Sequence, residues 1–215
     1  MVLHNTMLDL VIFDADGVLF ESGDSNTAYY NAIFERLGEP PLSPEEERLG
    51  VFFSARQVFE HRAAGDHERV RRMQEAGAQI DFTPYFHLLS PPFELRPFLL
   101  DIKSRHKIGL ATNRSVTVPR LLEHLNLVGI FDAIACAQDK VRPKPAPDIV
   151  NLCIERAGAA KQRAVYVGDS EIDYIAAQSA GVKFIGLGDR VKSPVVIERL
   201  HDLPGALERL MSELG

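Results

Sequence analysis

Asp14 and Asp16 stand two residues apart in the stretch LVIFDADGVLF, directly behind a run of Leu, Val, Ile and Phe. Carboxylates delivered to the end of a buried strand cost stability unless something cationic or reactive meets them. Other residues able to do chemistry end similar runs: Thr112 and Asn113 follow IGLA, and Asp169 follows YVG. Acids gathered in one place repel each other, and a hard divalent cation with oxygen ligands, most simply Mg²⁺, relieves them. Taken alone, the Asp pair has a plainer alternative as a loop or cap, and Gly17 allows a sharp turn in either case.

Convergent acids with a nearby lysine point to phosphoryl transfer, in which one carboxylate attacks phosphorus and another handles protons at the leaving oxygen. An anionic nucleophile approaching a phosphate is opposed by roughly 4 kcal/mol per pair of unit charges about 4 Å apart at an effective dielectric near 20. Cations must offset this. Mg²⁺ held by Asp14, the main-chain carbonyl of Asp16 and Asp169 is one candidate, and Lys144 is another. Thr112 offers a hydroxyl, and the amides of Asn113 and Arg114 open toward the next helix start as an anion site. Lys144, held between Pro143 and Pro145, also has a plain alternative as a stiffened surface lysine.

The elements that must position these residues follow from the apolar runs. LDLVIFDAD, KIGLATN, DAIACAQD, AVYVGDS and KFIGLGD are short and do not alternate, as strands covered on both faces should be. Between the later runs lie helical patterns. Ser115 to Asn126 carries Val118, Leu121, Leu122 and Leu125 on one face. Asp148 to Ala157 carries Ile149, Leu152, Cys153 and Ala157 before Gly158, and a helix from Ser170 turns Ile172, Ile175, Ala176 and Ala180 inward before Gly181. Strand and helix alternate, so the expected fold class is α/β, with a Rossmann-like, doubly wound parallel sheet. The alternation lapses over 21–90, where Tyr29, Ala32, Ile33 and Leu37 form a stripe ended by Gly38, Ser43 with Glu46 reads as a capping box, and Asp66 starts another helix. The expected organisation is therefore a core of 1–20 and 91–215, with 21–90 inserted as a helical domain and the proline-rich SPPFELRP as the return point.

Composition excludes several classes. Twenty-four Lys and Arg against thirty Asp and Glu give a net charge of −6, which offers nucleic acid no overall footprint. The start MVLHNTMLDLVIF lacks the pattern of a secretory signal, and no run of about 18 apolar residues is present, so a cytoplasmic protein off the membrane is expected. Cys136 and Cys153 read as small buried hydrophobes without zinc or redox spacing.

FDADGVLF, ATNRS, the KPAPD of Lys144 to Asp148 and GDSEIDYIAAQSAG from Gly168 to Gly181 resemble, in order, the four motifs of the haloacid dehalogenase superfamily. The insertion resembles the helical cap of its phosphoglycolate phosphatase and β-phosphoglucomutase branch. The resemblance implies a Mg²⁺-dependent phosphatase of a small phosphorylated metabolite, acting as a monomer or homodimer. Asp14 would be the nucleophile that forms an aspartyl phosphate, and Asp16 the general acid and then base. Thr112 and Lys144 would hold phosphoryl oxygens with help from Asn113, and Asp169 would bind metal. Asp173 would bind metal or, as Ser170 and Asp173 also fit a capping box, serve structurally. Asp16 argues for an alkoxide leaving group over a halide, and the absence of lysine from 21–90 argues against a Schiff-base phosphonatase. A sugar-phosphate mutase is the alternative enzyme, and a phosphoacceptor signalling or binding protein the alternative from another class. Among the arginines of 21–90, Arg56 is the candidate for substrate binding, since a guanidinium suits anions. Arg69, Arg71 and Arg72 alternate with Glu68 and Glu75 and read as a solvated face.

Overall fold

In chain order the elements are β1 (Leu10–Phe13), α1 (Gly23–Arg36), α2 (Pro44–Phe52), α3 (Ala55–Ala63), α4 (His67–Ala78), α5 (Leu95–Lys103), β2 (Lys107–Thr112), α6 (Val118–His124), β3 (Ala133–Cys136), α7 (Asp148–Ala157), β4 (Ala164–Gly168), α8 (Glu171–Ala180), β5 (Lys183–Leu187), β6 (Val196–Ile197) and α9 (Leu203–Ser212). The computed structural model describes residues 8–52, 55–114 and 117–212. The chain divides into two compact units, Met1–Phe20 with Pro91–Gly215 and Glu21–Ser90. No described helix is long and apolar enough to cross a membrane.

The first unit is a parallel six-stranded sheet in the order β3-β2-β1-β4-β5-β6. All of LVIF in β1 and all of AVYVG in β4 are buried, which explains why neither run alternates: helices cover both faces of the sheet. Phe13 pairs with Leu110 on one side and with Val167 on the other, so β1, β2 and β4 end side by side. The strand order reverses between β1 and β4, and in such sheets the crevice at the carboxyl ends of the strands is where ligands bind. The two-residue β6 carries too little pattern to be read from sequence.

Helix α7 shows how the layers lock. Ile149, Val150, Cys153, Ile154 and Ala157 are buried on one face, and Gly158 ends the helix in the left-handed region at φ +59°. Each such aliphatic side chain contributes roughly 1.5–3 kcal/mol on full burial. Both cysteines are free and buried. Helix α6 begins at Val118, with Leu121 and Leu122 buried as expected; Ser115 lies outside the described residues. Helix α8 departs from expectation: Ile175 is exposed, while Asp173 and Ala177 are buried with Ala176 and Ala180. Polar contacts made by Asp173, described below, turn the helix away from the face its apolar residues alone would choose.

The second unit is helical, and its described residues contain no strand. Paired main-chain hydrogen bonds between Glu21 and Ser90 (3.0 and 3.1 Å) tie its two ends together. Its core holds Tyr30, Ile33, Phe34, Val58, Phe59 and Met73. In α1 the buried stripe is Tyr30, Ile33 and Phe34, one position round from the expected one, with Tyr29 and Leu37 at its margin. The Ser43–Glu46 capping box is closed from both sides, at 2.8 and 3.2 Å, and Asp66 caps α4 by accepting from the Arg69 amide at 2.9 Å. Phe53 and the side chain of Phe52 lie outside the described residues.

Candidate active site

Two glycines let the acids approach one another. Gly17 has φ +73°, and a Cβ there would lie 2.0 Å from Asp169 Oδ2; a Cβ on Gly168 would lie 2.5 Å from Asp173 Cβ. Both positions admit no side chain; Gly17 lies in the loop after β1, next to Asp16, and Gly168 ends β4. The result is a cluster in which Asp14, Asp169 and Asp173 each offer an oxygen within 4.8 Å of the others. Asp14 is continuous with β1, its amide donating to Val167 O at 3.0 Å. Asp169 follows β4, and Asp173 sits in the first turn of α8, in a closed capping box with Ser170.

Lys144 is the counter-charge. It is 5 % exposed, so the surface alternative does not hold. Its Nζ lies 2.7 Å from Asp14 Oδ1 and 2.6 Å from Asp173 Oδ1. It also donates to the Tyr166 hydroxyl at 2.8 Å. Tyr166 in turn gives its single proton to Ala111 O at 2.8 Å, closer than Asp173 Oδ1 at 3.3 Å. The lysine is thus gripped from β4 and α8 while Asn113 brackets its main chain, accepting from Lys144 N at 2.8 Å and donating to Lys144 O at 3.0 Å.

Lys144, with Arg190 3.3 Å from Asp169, does not balance three acids. Burial, with repulsion from Asp173 and Asp16 added to it, raises the Asp14 carboxyl to about 8 despite the attraction of Lys144. Burial and Asp173 raise Asp169 to about 6 against the pull of Arg190 and Lys144. Burial depresses Lys144, but Asp14 and Asp173 outweigh it and hold the ammonium above its ordinary value. Asp14 Oδ1 lies 2.7 Å from Lys144 Nζ as an ion pair and, among the described residues, is a buried oxygen with no well-aligned hydrogen-bond donor. An all-oxygen donor set with surplus negative charge and an unsatisfied oxygen fits a hard divalent cation such as Mg²⁺.

A family model described as haloacid dehalogenase-like hydrolase matches residues 11–187, which spans the three acids, Lys144, Asn113 and Tyr166. The chain belongs to the haloacid dehalogenase-like hydrolase family. It is 34% identical over 231 residues to a phosphoglycolate phosphatase of Shigella sonnei, covering 92% of this chain and 91% of that one. It is 28% identical over 211 residues to phosphoglycolate phosphatase 1 of Pseudomonas aeruginosa, covering 90% and 78%. Among solved structures, a subfamily IA hydrolase of this superfamily from Geobacter sulfurreducens superposes with a TM-score of 0.78 at 28% identity, covering 94% and 97%. The chain is accordingly an enzyme of the phosphatase kind within this hydrolase family.

The remaining residues of this hydrolase fall into place unevenly. Thr112 is buried at the end of β2, and its Oγ1 accepts from the Arg114 amide at 3.1 Å. That bond corrects half of the expected anion site, because it engages the Arg114 N–H; it leaves the Asn113 part of that expectation untouched. The Asp16 carboxylate stands apart from the acid trio and receives a two-pronged grip from Arg114, with Nε to Oδ2 and Nη2 to Oδ1 both at 2.7 Å. Arg190 reaches Asp169 Oδ2 at 3.3 Å. Arg56 belongs to the other unit, where it is exposed on α3 and paired with Glu60 at 2.7 Å. Arg69 is not simply solvated: it donates to Glu39 at 3.0 and 2.7 Å. Sequence reasoning missed the side chains of Arg114, Arg190 and Tyr166. Only Arg114 carried a signal, as a guanidinium one residue beyond the Thr-Asn pair at a strand end.

Proposed function

We propose that this hydrolase cleaves a small organic phosphate monoester through a covalent intermediate on Asp14. The observation that carries this is the buried Asp14 carboxylate, 7 % exposed, held against the Lys144 ammonium with one oxygen unsatisfied by hydrogen bonds. Asp14 attacks phosphorus while Asp16 gives a proton to the departing alkoxide; Asp16 then takes a proton from the water that attacks the aspartyl phosphate. Thr112 and Lys144 hold phosphoryl oxygens, and Asn113 contributes by fixing the Lys144 main chain. Asp14, Asp169 and the main-chain carbonyl of Asp16 would hold Mg²⁺, with Asp173 at hand through Lys144. When bound, the ion supplies positive charge that offsets the repulsion between carboxylate and phosphate.

Phosphoglycolate is the first substrate to test, because relatives spanning nine-tenths of the chain or more carry that name. The test is phosphate release from a panel of phosphorylated metabolites, with and without Mg²⁺, by the native enzyme and by Asp14→Asn. The expected result is Mg²⁺-dependent turnover that falls at least about a thousandfold in Asp14→Asn. Release that survives this substitution overturns the assignment. Interconversion of sugar phosphates without net release would make the enzyme a mutase, and a stoichiometric, long-lived label from a small phosphodonor would make it a phosphoacceptor.

A further inference from the structure

The Arg114–Asp16 pair is more tightly built than an incidental ion pair. The guanidinium meets both carboxylate oxygens at 2.7 Å, and its side chain is 11% exposed. Its central carbon lies 5.4 Å from the centre of the Phe20 ring. The main chain of Arg114 is fixed too, its amide donating to Thr112 Oγ1 at 3.1 Å and its carbonyl accepting from Ala137 N at 2.9 Å. Arg114 is therefore anchored on β2 and on the segment after β3, and it reaches across to the loop after β1. A rigid fork of this kind sets both the position and the plane of the carboxylate it holds, which a lysine ammonium cannot do.

That grip has a consequence for chemistry at Asp16. With both oxygens engaged, Asp16 has no oxygen turned wholly to a substrate; releasing one arm of the fork frees one oxygen while the other stays held. We propose that Arg114 is a positioning residue that aims Asp16 at the leaving oxygen, keeping one carboxylate oxygen in hand while the other serves the substrate. This rests on the reading of Asp16 as acid and base. In the first step an Asp14 oxygen bonds to phosphorus, the P–O bond to the alcohol breaks, and the Asp16 proton goes to the leaving oxygen. In the second, water oxygen bonds to phosphorus, the Asp14–phosphorus linkage breaks, and Asp16 regains a proton from that water, leaving inorganic phosphate.

The test compares an alkyl phosphate, whose leaving oxygen needs a proton, with the first-turnover burst of nitrophenolate from p-nitrophenyl phosphate, whose leaving group departs without one. Asp16→Asn serves as the benchmark, and Arg114→Met, with Arg114→Gln should the first fail to fold, is the variant. Arg114→Met is expected to slow alkyl phosphate turnover about a hundredfold while leaving the burst rate within a few-fold of native, and to add nothing further in an Asp16→Asn background. Equal losses on both substrates, or losses that multiply in the double variant, overturn the role of Arg114. If instead Asp16→Asn itself leaves alkyl phosphate turnover intact, the acid–base reading of Asp16 fails, and the role of Arg114 with it.

Discussion

Each unit of the chain contains a cluster of charges withdrawn from solvent, and the two clusters are balanced differently. In the helical unit, Glu39 and Glu46 face Arg62 and Arg69: Arg62 meets Glu39 at 3.3 Å and Glu46 at 3.1 Å, and Arg69 meets Glu39 at 2.7 Å. Arg62 is 6 % exposed, lies over the Phe34 ring at 4.0 Å and also donates to Pro40 O. Two acids meet two cations, and hydrogen bonds from Arg69, joined by Arg62, hold the Glu39 carboxyl below its ordinary value despite partial burial. In the sheet unit, three acids meet two cations, Lys144 between Asp14 and Asp173 and Arg190 at 3.3 Å from Asp169, and the Asp14 and Asp169 carboxyls move the opposite way. Matched charge fastens a structure. A surplus held in place by glycines and a buried lysine has the donor set of a group that could hold a metal ion.

The largest effect expected from this contrast is on the matched side. Arg62→Ala leaves Glu39 and Glu46 short of a partner and uncovers Phe34, and should cost about 3–5 kcal/mol in urea unfolding. A loss under about 1 kcal/mol would reduce the network to an ordinary surface pair and break the comparison.

A smaller effect of opposite sign is expected on the surplus side. In EDTA, Asp14→Asn should stabilise the protein by about 1–3 kcal/mol at pH 8.5. The folded Asp14 carboxyl titrates near 8 and the unfolded one near about 3.9. Between these values the folded state binds the extra proton, so the stability of the metal-free protein falls as pH rises and the penalty is complete above the folded value. The advantage of Asn should therefore shrink toward pH 4. Thermal melts of both proteins across that range provide the check, and a variant less stable than native at pH 8.5 would contradict the charge surplus.

How far these features could be read in advance depends on the kind of interaction. The five longer strands were legible because burial on both faces forces continuous apolar runs, and α7 because its apolar spacing and Gly158 agree. Capping by Ser43 with Glu46 was legible because it is local, within four residues. What stayed hidden depends on contacts between distant segments. The side of α8 that faces inward is chosen by Asp173 reaching Lys144, 29 residues away, and not by Ile175. The grip on Asp16 comes from Arg114, 98 residues along the chain. Tyr166 reads as one more apolar member of AVYVG, since only the fold brings its hydroxyl to Lys144 and Ala111.

The most direct test of the central claim, that the acid surplus is built for a divalent cation, is calorimetric titration of the metal-free protein with Mg²⁺ at pH 6, 7 and 8.5, in buffers of differing ionisation enthalpy. Because Asp169 titrates near 6 and Asp14 near 8, binding should release protons. Affinity should rise with pH across this range and be lost in Asp169→Asn. Absence of a binding heat, or an affinity that neither changes with pH nor depends on Asp169, would contradict the account.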